Sequence, residues 1–358
     1  MKRSFFPIVI FFSLFVTFFS CSSKSNKRPR KPVSAITVQP VKDKYVFGDQ
    51  ISVEVNTQLK DGKLKSVKLF YNNELVKESA ETDFTFDNIS LNTLGTITLK
   101  AYAEKTDGLN NTRTKIVNVN SDIAPQQMTY QVVENYPHLK TSYTQGLEYY
   151  KGYLYEGTGE LGHSKLLKIN IKTGEPVKSF DMDDKYFGEG ITILNDKIYQ
   201  LTYHAKKGFV YDMNSFAVID SFTFPSAEGW GLCNDGTNLI MSDGTHVLTW
   251  LNPDDFSVVK KLQVANNKEL KTNLNELEYI DGMIYANIYT SNIIVKIDAS
   301  NGKVLEEIDM SGLIDLYHRQ GDRIDFLNGI AYDPVHEKMY VTGKLFPRLF
   351  EVKFLDKN

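Results

Sequence analysis

Hydrophobic and polar residues alternate through much of the first third of the chain, which is typical of β-strands with one buried face. The alternation is clear in two stretches: Ile51, Val53, Val55 and Val67, Leu69, Tyr71. Roughly six or seven such segments follow one another between residues 34 and 120, and "YNNE" (71–74) is a hairpin-turn signal. This pattern predicts an immunoglobulin-like β-sandwich.

From residue 128 onward the chain repeats one pattern five times. Each repeat opens with a residue pair, runs through an apolar strand and a tight turn, and returns in a second strand before two further strands. The second residues of the openings lie 44, 41, 45 and 53 positions apart: Gln145, Glu189, Trp230, Asn275 and Asn328. Four strands at a period of about forty-five residues form one propeller blade, so a five-bladed β-propeller is predicted. "MTYQVVENYP" (128–137) is expected to supply the outer strand of the last blade.

The N-terminal segment predicts a tether, and the two units that follow it make the predicted fold class all-β. Residues 1–20 read as a lipoprotein-type signal peptide, with Cys21 as the lipid-bearing residue. An ordinary secretory signal with an incidental cysteine is the alternative. We expect a tether over 21–33, the sandwich over 34–120, a linker over 121–129 and the propeller over 130–358. The expected location is the cell envelope, lipid-anchored and either periplasmic or outward-facing.

Charge and rare residues exclude several classes of function. The 358-residue chain has a net charge of −3, so there is no electrostatic case for binding nucleic acid. Cys233 lies in an apolar strand and is expected to be a small buried hydrophobe. The six histidines show no zinc-motif spacing, and no G-x-S-x-G elbow is present.

Equivalent positions of propeller blades converge around the central channel, because the innermost strand of each blade lines it. The five opening positions should therefore form a ring of unusually polar side chains at one mouth. The ends of the second strands predict a further ring: Gly159, Tyr203, Gly244, Tyr289 and Lys344. A carboxylate, an ammonium, amides and aromatic rings together have the composition of a small-molecule pocket.

Gly188 and Gly190 flank Glu189 in "FGEGIT", and we interpret them as leaving room for a ligand beside the carboxylate. The alternative is a water-filled channel without catalysis. In that case Trp230 is a plug and Lys344 only pairs with Glu189.

Seven motifs occur in order through the repeated region: "YTQGLEY", "FGEGIT", "EGWGL", "LNELEY", "ANIY", "LNGIAYD" and "VTGKLFP". Together they resemble the glutaminyl cyclase (glutamine cyclotransferase) family of plants and bacteria, propeller enzymes unrelated to the animal zinc glutaminyl cyclases. The resemblance covers about Tyr130 to Asp356 and leaves the sandwich outside. It implies conversion of an N-terminal glutamine to pyroglutamate with release of ammonia.

The resemblance also implies roles for matching positions. Glu189 would be the general base and acid, and Lys344 with the amides of Gln145 and Asn275 would stabilise the oxyanion. The implied substrate-binding residues are Trp230, Tyr203, Tyr289, Asn328, Tyr143 and Phe346. At three of these positions (Tyr203, Tyr289 and Phe346) plant members carry tryptophan, which bears on substrate preference.

This chemistry requires no catalytic metal or other cofactor, and a structural cation in the channel stays an open alternative. The expected partners are peptides or proteins with an N-terminal glutamine, and the membrane through the lipid. The sandwich has no identifiable partner. The rival function is a non-catalytic, envelope-tethered propeller that binds or scaffolds, but the complete set Gln145, Glu189, Asn275 and Lys344 favours an enzyme.

Overall fold

The computed structural model describes residues 28–315 and 323–357, and its architecture is all-β. The predicted signal peptide, Cys21 and most of the tether lie outside the described residues. Across the described ranges, no helix is long and apolar enough to cross a membrane.

Eight strands build the N-terminal part, in agreement with the alternating pattern. They are β1 (Val33–Gln39), β2 (Tyr45–Val46), β3 (Gln50–Gln58), β4 (Leu64–Tyr71), β5 (Glu74–Ser79), β6 (Asp83–Ser90), β7 (Gly95–Lys105) and β8 (Asn110–Asn120). They form a three-stranded sheet, β1-β3-β6, and a five-stranded sheet, β2-β8-β7-β4-β5. The inward-facing residues of both sheets share one hydrophobic core. The "YNNE" turn is confirmed, since Asn72 and Asn73 both have positive φ between β4 and β5.

Twenty further strands follow, and twelve of the first thirteen build three complete sheets; the first of the thirteen belongs to a later sheet. The thirteen are β9 (Gln126–Pro137), β10 (Thr144–Tyr150), β11 (Tyr153–Thr158), β12 (Lys165–Ile169), β13 (Pro176–Asp181), β14 (Gly188–Leu194), β15 (Lys197–Thr202), β16 (Lys207–Asp212), β17 (Val218–Thr223), β18 (Leu232–Asn234), β19 (Leu239–Met241), β20 (Val247–Leu251) and β21 (Val258–Gln263). Strands β10 to β13, β14 to β17 and β18 to β21 each form a four-stranded sheet in chain order.

The last seven strands are β22 (Leu274–Ile280), β23 (Met283–Ile288), β24 (Ile293–Asp298), β25 (Val304–Asp309), β26 (Leu327–Asp333), β27 (Lys338–Gly343) and β28 (Arg348–Asp356). Strand β9 pairs antiparallel with β28, as the sequence predicted for residues 128–137. It also pairs in parallel with β25, which joins these strands into one eight-stranded sheet.

The first strands of successive sheets contact one another in a closed cycle, β10 to β14 to β18 to β22 to β26 and back to β10. This arrangement is propeller-like and brings the openings of the sequence repeats around one axis. Cys233 is buried in β18 among apolar neighbours, as expected.

The two glycines beside Glu189 have a different cause from the one the sequence suggested. A Cβ at Gly190 would overlap the backbone nitrogen of Leu232 in the neighbouring first strand. A Cβ at Gly188 would lie 2.7 Å from the carbonyl oxygen of Thr158. Our interpretation that these glycines make room for a ligand is therefore wrong. They permit the close approach of backbones around the central axis.

Candidate active site

The opening residues of four repeats lie where the pairing of the first and second strands is interrupted. The register shifts fall between Thr144 and Gly146, Gly188 and Ile191, Leu274 and Leu277, and Leu327 and Ile330. A β-bulge re-aims the side chain of the bulged residue. The bulges therefore explain how polar residues at the start of apolar strands come to face the axis.

A cavity of about 110 Å³ lies at this end of the sheets. It is lined by Tyr143, Gln145, Phe187, Glu189, Tyr203, Trp230, Asn275, Tyr289 and Lys344. The structure thus brings eight of the ten predicted catalytic and substrate-binding residues into one wall. Four of the eight hold the opening positions of the first four repeats, and three hold second-ring positions: Tyr203, Tyr289 and Lys344.

The two remaining residues lie elsewhere. Asn328 sits behind the cavity wall, where its Nδ2 donates to the carbonyl oxygen of Thr144 (3.0 Å) and to Oε1 of Gln145 (3.2 Å). Phe346 is only 1% exposed and packs in an apolar core. Neither side chain lines the cavity, so the predicted substrate-contacting wall is corrected at these two positions.

Phe187 is a cavity residue that the sequence reasoning missed. Its ring packs edge-on against Tyr143, with centroids 6.2 Å apart, and lies 5.8 Å from the ring of Tyr203. A Cβ at Gly159 would overlap this ring, which explains the glycine at the second-ring position. The available signal was local, because Phe187 directly precedes the Gly-Glu-Gly triplet.

An amide joins the two charged groups of the cavity. Lys344 Nζ donates to Oε1 of Gln145, and Nε2 of Gln145 donates to Oε1 of Glu189 at 3.1 Å. A lysine ammonium can only donate hydrogen bonds, so it must face the oxygen of the Gln145 amide. This leaves the amide nitrogen of Gln145 pointing towards the carboxylate of Glu189. The simple Lys344–Glu189 pair of the water-filled alternative is therefore replaced by a bridge.

Aromatic rings surround the ammonium. Lys344 Nζ lies 4.6 Å from the ring centroid of Tyr143 and 5.4 Å from that of Tyr289, within cation–π range. Trp230 packs edge-on against Tyr289 with centroids 5.4 Å apart. The indole Nε1 of Trp230 donates to Oε2 of Glu228 (2.9 Å), which fixes the plane of the ring.

Burial shifts the acid–base properties of both charged groups. Desolvation raises the pKa of Glu189 well above its ordinary value, with Lys344 opposing the shift and Glu228 adding to it. Desolvation also lowers the pKa of Lys344 to about 8, against the attraction of Glu189 and Asp325. The pKa values of the carboxyl and the ammonium thus move towards neutrality from opposite sides, a pattern typical of catalytic acid–base groups.

Asn275 presents an amide to the same cavity. Its side chain is buried, and its Oδ1 accepts no hydrogen bond from any described residue. A buried amide with unused capacity is available to a ligand, since burying it without a partner is costly.

Buried carboxylates next to the site were also missed. Glu276, adjacent to Asn275, accepts hydrogen bonds from the backbone nitrogens of Leu147 (3.1 Å) and Ile330 (2.8 Å), and desolvation raises its pKa. Both nitrogens follow bulges, so the carboxyl satisfies groups that the sheet leaves unpaired.

Within residues 28–315 and 323–357, no three His, Cys, Asp or Glu side chains are grouped so as to hold a metal ion.

The fold and the site define a propeller-like protein with a small acid–base cavity on its axis, and comparisons with known proteins give its family. Residues 104–354 match the profile of the glutamine cyclotransferase family. Glutaminyl-peptide cyclotransferase from Arabidopsis thaliana is 37% identical over 234 residues, which span 65% of this chain and 73% of that protein. The crystal structure of Myxococcus xanthus glutaminyl cyclase has a TM-score of 0.61 at 32% identity, covering 65% of this chain and 100% of that chain. The chain belongs to the glutamine cyclotransferase family.

Proposed function

We propose that this glutamine cyclotransferase converts the N-terminal glutamine of peptides or proteins to pyroglutamate and ammonia, with Glu189 as general base and acid. Glutamine cyclotransferase activity follows from membership of the family. One observation carries the assignment of Glu189: it is a buried carboxyl, 4% exposed, in a cavity where Gln145 connects it to Lys344. Its raised pKa suits a group that must take up and return a proton near neutral pH.

The reaction balances with one proton carrier. The Glu189 carboxylate accepts a proton from the substrate's α-ammonium, and the freed amine attacks the side-chain amide carbon. A C–N bond forms, and the amide oxygen becomes an oxyanion. The carboxyl of Glu189 then returns the proton to the amide nitrogen, the original C–N bond breaks, the carbonyl re-forms, and ammonia leaves. The ring nitrogen still carries a second proton and a positive charge after the attack. The regenerated Glu189 carboxylate takes up this proton and passes it to the departing ammonia or to water, which leaves the neutral lactam.

Lys344 is placed to stabilise the oxyanion, and Asn275 can assist only through Nδ2 of its amide, because Oδ1 is an acceptor. The ammonium of Lys344 is charged below its pKa of about 8 and is held among aromatic rings, where a charge acts more strongly than in water. Gln145 has a different role from the donor role first expected. Because its amide is engaged by both Glu189 and Lys344, we assign it the orientation of those two groups.

The aromatic wall supplies orientation. A cavity of about 110 Å³ suits one folded glutamine residue, so the rest of a peptide must extend outside it. Tyr143, Tyr203, Tyr289 and Trp230 limit the conformations of the side chain and exclude water. Pre-organisation of an intramolecular attack accounts for a large part of the rate in such reactions.

Incubation of the purified protein with a short Gln-initiated peptide tests the activity. We expect ammonia release and the matching mass loss, unchanged by a chelator because no cofactor is required for the steps above. The same peptide beginning with asparagine is the control, since ring closure would give a strained four-membered ring. Absence of cyclisation across several Gln-peptides would instead favour the non-catalytic binding protein.

We further infer that the three four-stranded sheets and the two halves of the eight-stranded sheet are the blades of a five-bladed propeller over 130–358. The closed cycle of first strands and the four-stranded sheets support this. The two packed sheets of residues 34–120 support an immunoglobulin-like sandwich. The linker expected over 121–129 shortens to 121–125, because residues 126–129 belong to β9. Limited proteolysis should cut first within 121–125 if this boundary separates two units.

The composition of residues 1–33 supports a lipoprotein signal, an anchor at Cys21 and a cell-envelope location. Metabolic labelling with a fatty acid, compared between the wild type and Cys21→Ser, tests the anchor. Label in both forms, or in neither, would contradict it.

A further inference from the structure

A buried histidine and a buried glutamate lie directly behind the cavity. His138 follows β9 and Glu156 is in β11, and their side chains are 1% and 0% exposed. His138 Nδ1 lies 2.8 Å from the carbonyl oxygen of Phe346, and His138 Nε2 lies 3.3 Å from Oε2 of Glu156. Nδ1 makes a hydrogen bond to the carbonyl, and Nε2 lies at ion-pair distance from the carboxylate without hydrogen-bond geometry. An imidazolium suits this arrangement, because it presents N–H to the carbonyl and positive charge to the carboxylate.

One side of this pair holds the strand that carries Gln145. Oε1 of Glu156 accepts a hydrogen bond from Thr144 Oγ1 (2.6 Å), and Oε2 accepts one from Ser142 Oγ (3.2 Å). Thr144 immediately precedes Gln145. The position of the Glu156 carboxylate therefore constrains the start of β10 at its bulge.

The other side holds the turn that carries Lys344. Leu345 adopts φ of 60°, a left-handed conformation that is costly for a residue with a branched side chain and persists only where neighbours enforce it. The backbone nitrogen of Leu345 donates to the carbonyl oxygen of Ser142 (2.7 Å). The carbonyl oxygen of the following residue, Phe346, accepts a hydrogen bond from His138 Nδ1. The backbone nitrogen of His138 also donates to the carbonyl oxygen of Pro347 (3.1 Å).

We propose that His138 is a positioning residue for the cyclisation: its imidazolium links the Glu156 carboxylate to the Phe346 carbonyl and so sets Gln145 relative to Lys344. This inference rests on the proposed function of those two residues. His138 does not line the cavity and touches no reacting atom. Its effect reaches the substrate only through the two segments that it joins.

The surroundings of the ring favour its charged form. Burial alone would lower the pKa of His138, but attraction to the nearby Glu156 and the hydrogen bond to Phe346 outweigh it, and the net shift is upward. Glu156 is the charged group that faces the ring. The hydroxyls of Ser142 and Thr144 face the same carboxylate from the start of β10.

Nitrogen NMR of the wild-type protein tests the protonation state without any variant having to fold. In histidine-labelled protein at about pH 7.5, above the ordinary histidine pKa, we expect both ring nitrogens of His138 to be protonated. The signal is assigned by its loss in His138→Gln, or by elimination with substitutions at the other histidines if that variant does not fold. A neutral ring at this pH would overturn the proposal.

Kinetics test the consequence for the reaction. We expect His138→Gln to lower kcat by roughly 10- to 100-fold with little change in KM, because small misplacements of catalytic groups are costly. The alkaline fall of kcat should also move towards the ordinary lysine pKa, as Lys344 becomes less confined. A role in stability alone would lower the melting temperature and leave the pH profile of the folded enzyme unchanged.

His336→Gln is the matched control. His336 also contacts a carboxylate, Asp333, at 2.7 Å, but its side chain is 63% exposed and lies outside the site. We expect wild-type kcat and pH profile in this variant. A wild type without any cyclisation would reject the proposed function, whereas an active wild type and a His138→Gln enzyme with the same kcat and pH profile would reject the positioning role alone.

Discussion

The ammonium of Lys344 and the carboxylate of Glu189 meet through a single amide, that of Gln145, which accepts from one and donates to the other. A direct ion pair would tend to keep Glu189 ionised and Lys344 charged at all working pH values. The intervening amide weakens that coupling, so desolvation dominates the pKa of each group. The predictions below on the pH dependence of kcat and on the stability of Glu189→Gln depend on this weakened coupling between Lys344 and Glu189.

Replacing the carboxyl of Glu189 with an amide should remove the proton carrier and preserve the shape of the cavity. We expect Glu189→Gln to lower kcat by at least about 10²- to 10⁴-fold, the contribution typical of general acid–base catalysis, with KM changed far less. Steady-state ammonia release measures this. Glu175→Gln, at an exposed position between β12 and β13, is the control and should retain full turnover. Near-wild-type turnover by Glu189→Gln would refute the assignment.

Removing the ammonium of Lys344 should weaken oxyanion stabilisation. We expect Lys344→Met to lower kcat by about 10²- to 10³-fold, as loss of one such donor does elsewhere. Lys353→Met removes an exposed lysine at the far end of the last strand and should leave kcat unchanged. Equal kcat values for the two variants would show that the ammonium is not needed in the transition state.

The pH dependence of kcat should report Lys344. Because its pKa is lowered to about 8, the ammonium is lost as pH rises through that value, and kcat of the wild type should fall there. Lys344→Arg carries a cation that does not titrate in this range, so its residual kcat should lack the alkaline fall. An alkaline limb at the same pH in both enzymes would assign it to another group.

Glu189 should also lower stability at working pH. The pKa of Glu189 is raised on folding, so the folded state favours the protonated carboxyl. The free energy of unfolding is therefore highest below the pKa of the unfolded chain. It falls as the pH rises from that value to the higher pKa of the folded protein. Glu189→Gln is therefore expected to have a higher melting temperature than the wild type at neutral and mildly alkaline pH, with the gap closing below about pH 4. Thermal unfolding over this pH range measures it, and a gap that widens in acid would contradict the sign of the shift.

Local sequence was sufficient for the strands and turns. Alternation predicted β3 and β4 because one face of each strand is buried in a shared core. The "YNNE" signal predicted the hairpin of β4 and β5 because asparagine tolerates positive φ. The spacing of the repeats predicted which residues would meet around one axis, since equivalent positions of a cyclic repeat occupy equivalent places. Gln145, Glu189, Trp230 and Asn275 accordingly line one cavity.

Other features depended on contacts that no spacing encodes. Phe346 lies two residues after Lys344, yet the left-handed turn at Leu345 directs it into the core. Gly188 and Gly190 are explained by backbones of neighbouring strands, and Asn328 by a hydrogen bond to Gln145 rather than by the cavity. Each of these outcomes depends on how closely the sheets approach at the axis.

The sequence by itself determined the all-β character, the repeat and the set of residues gathered at the axis, because periodicity and turn chemistry act over short stretches of chain. Only the tertiary structure decided how those residues are connected. The bridge through Gln145 and the His138–Glu156 pair join residues from different sheets and loops. Desolvation shifts the pKa values of Glu189 and Lys344, and attraction to Glu156 raises that of His138; both causes exist only once the sheets have packed.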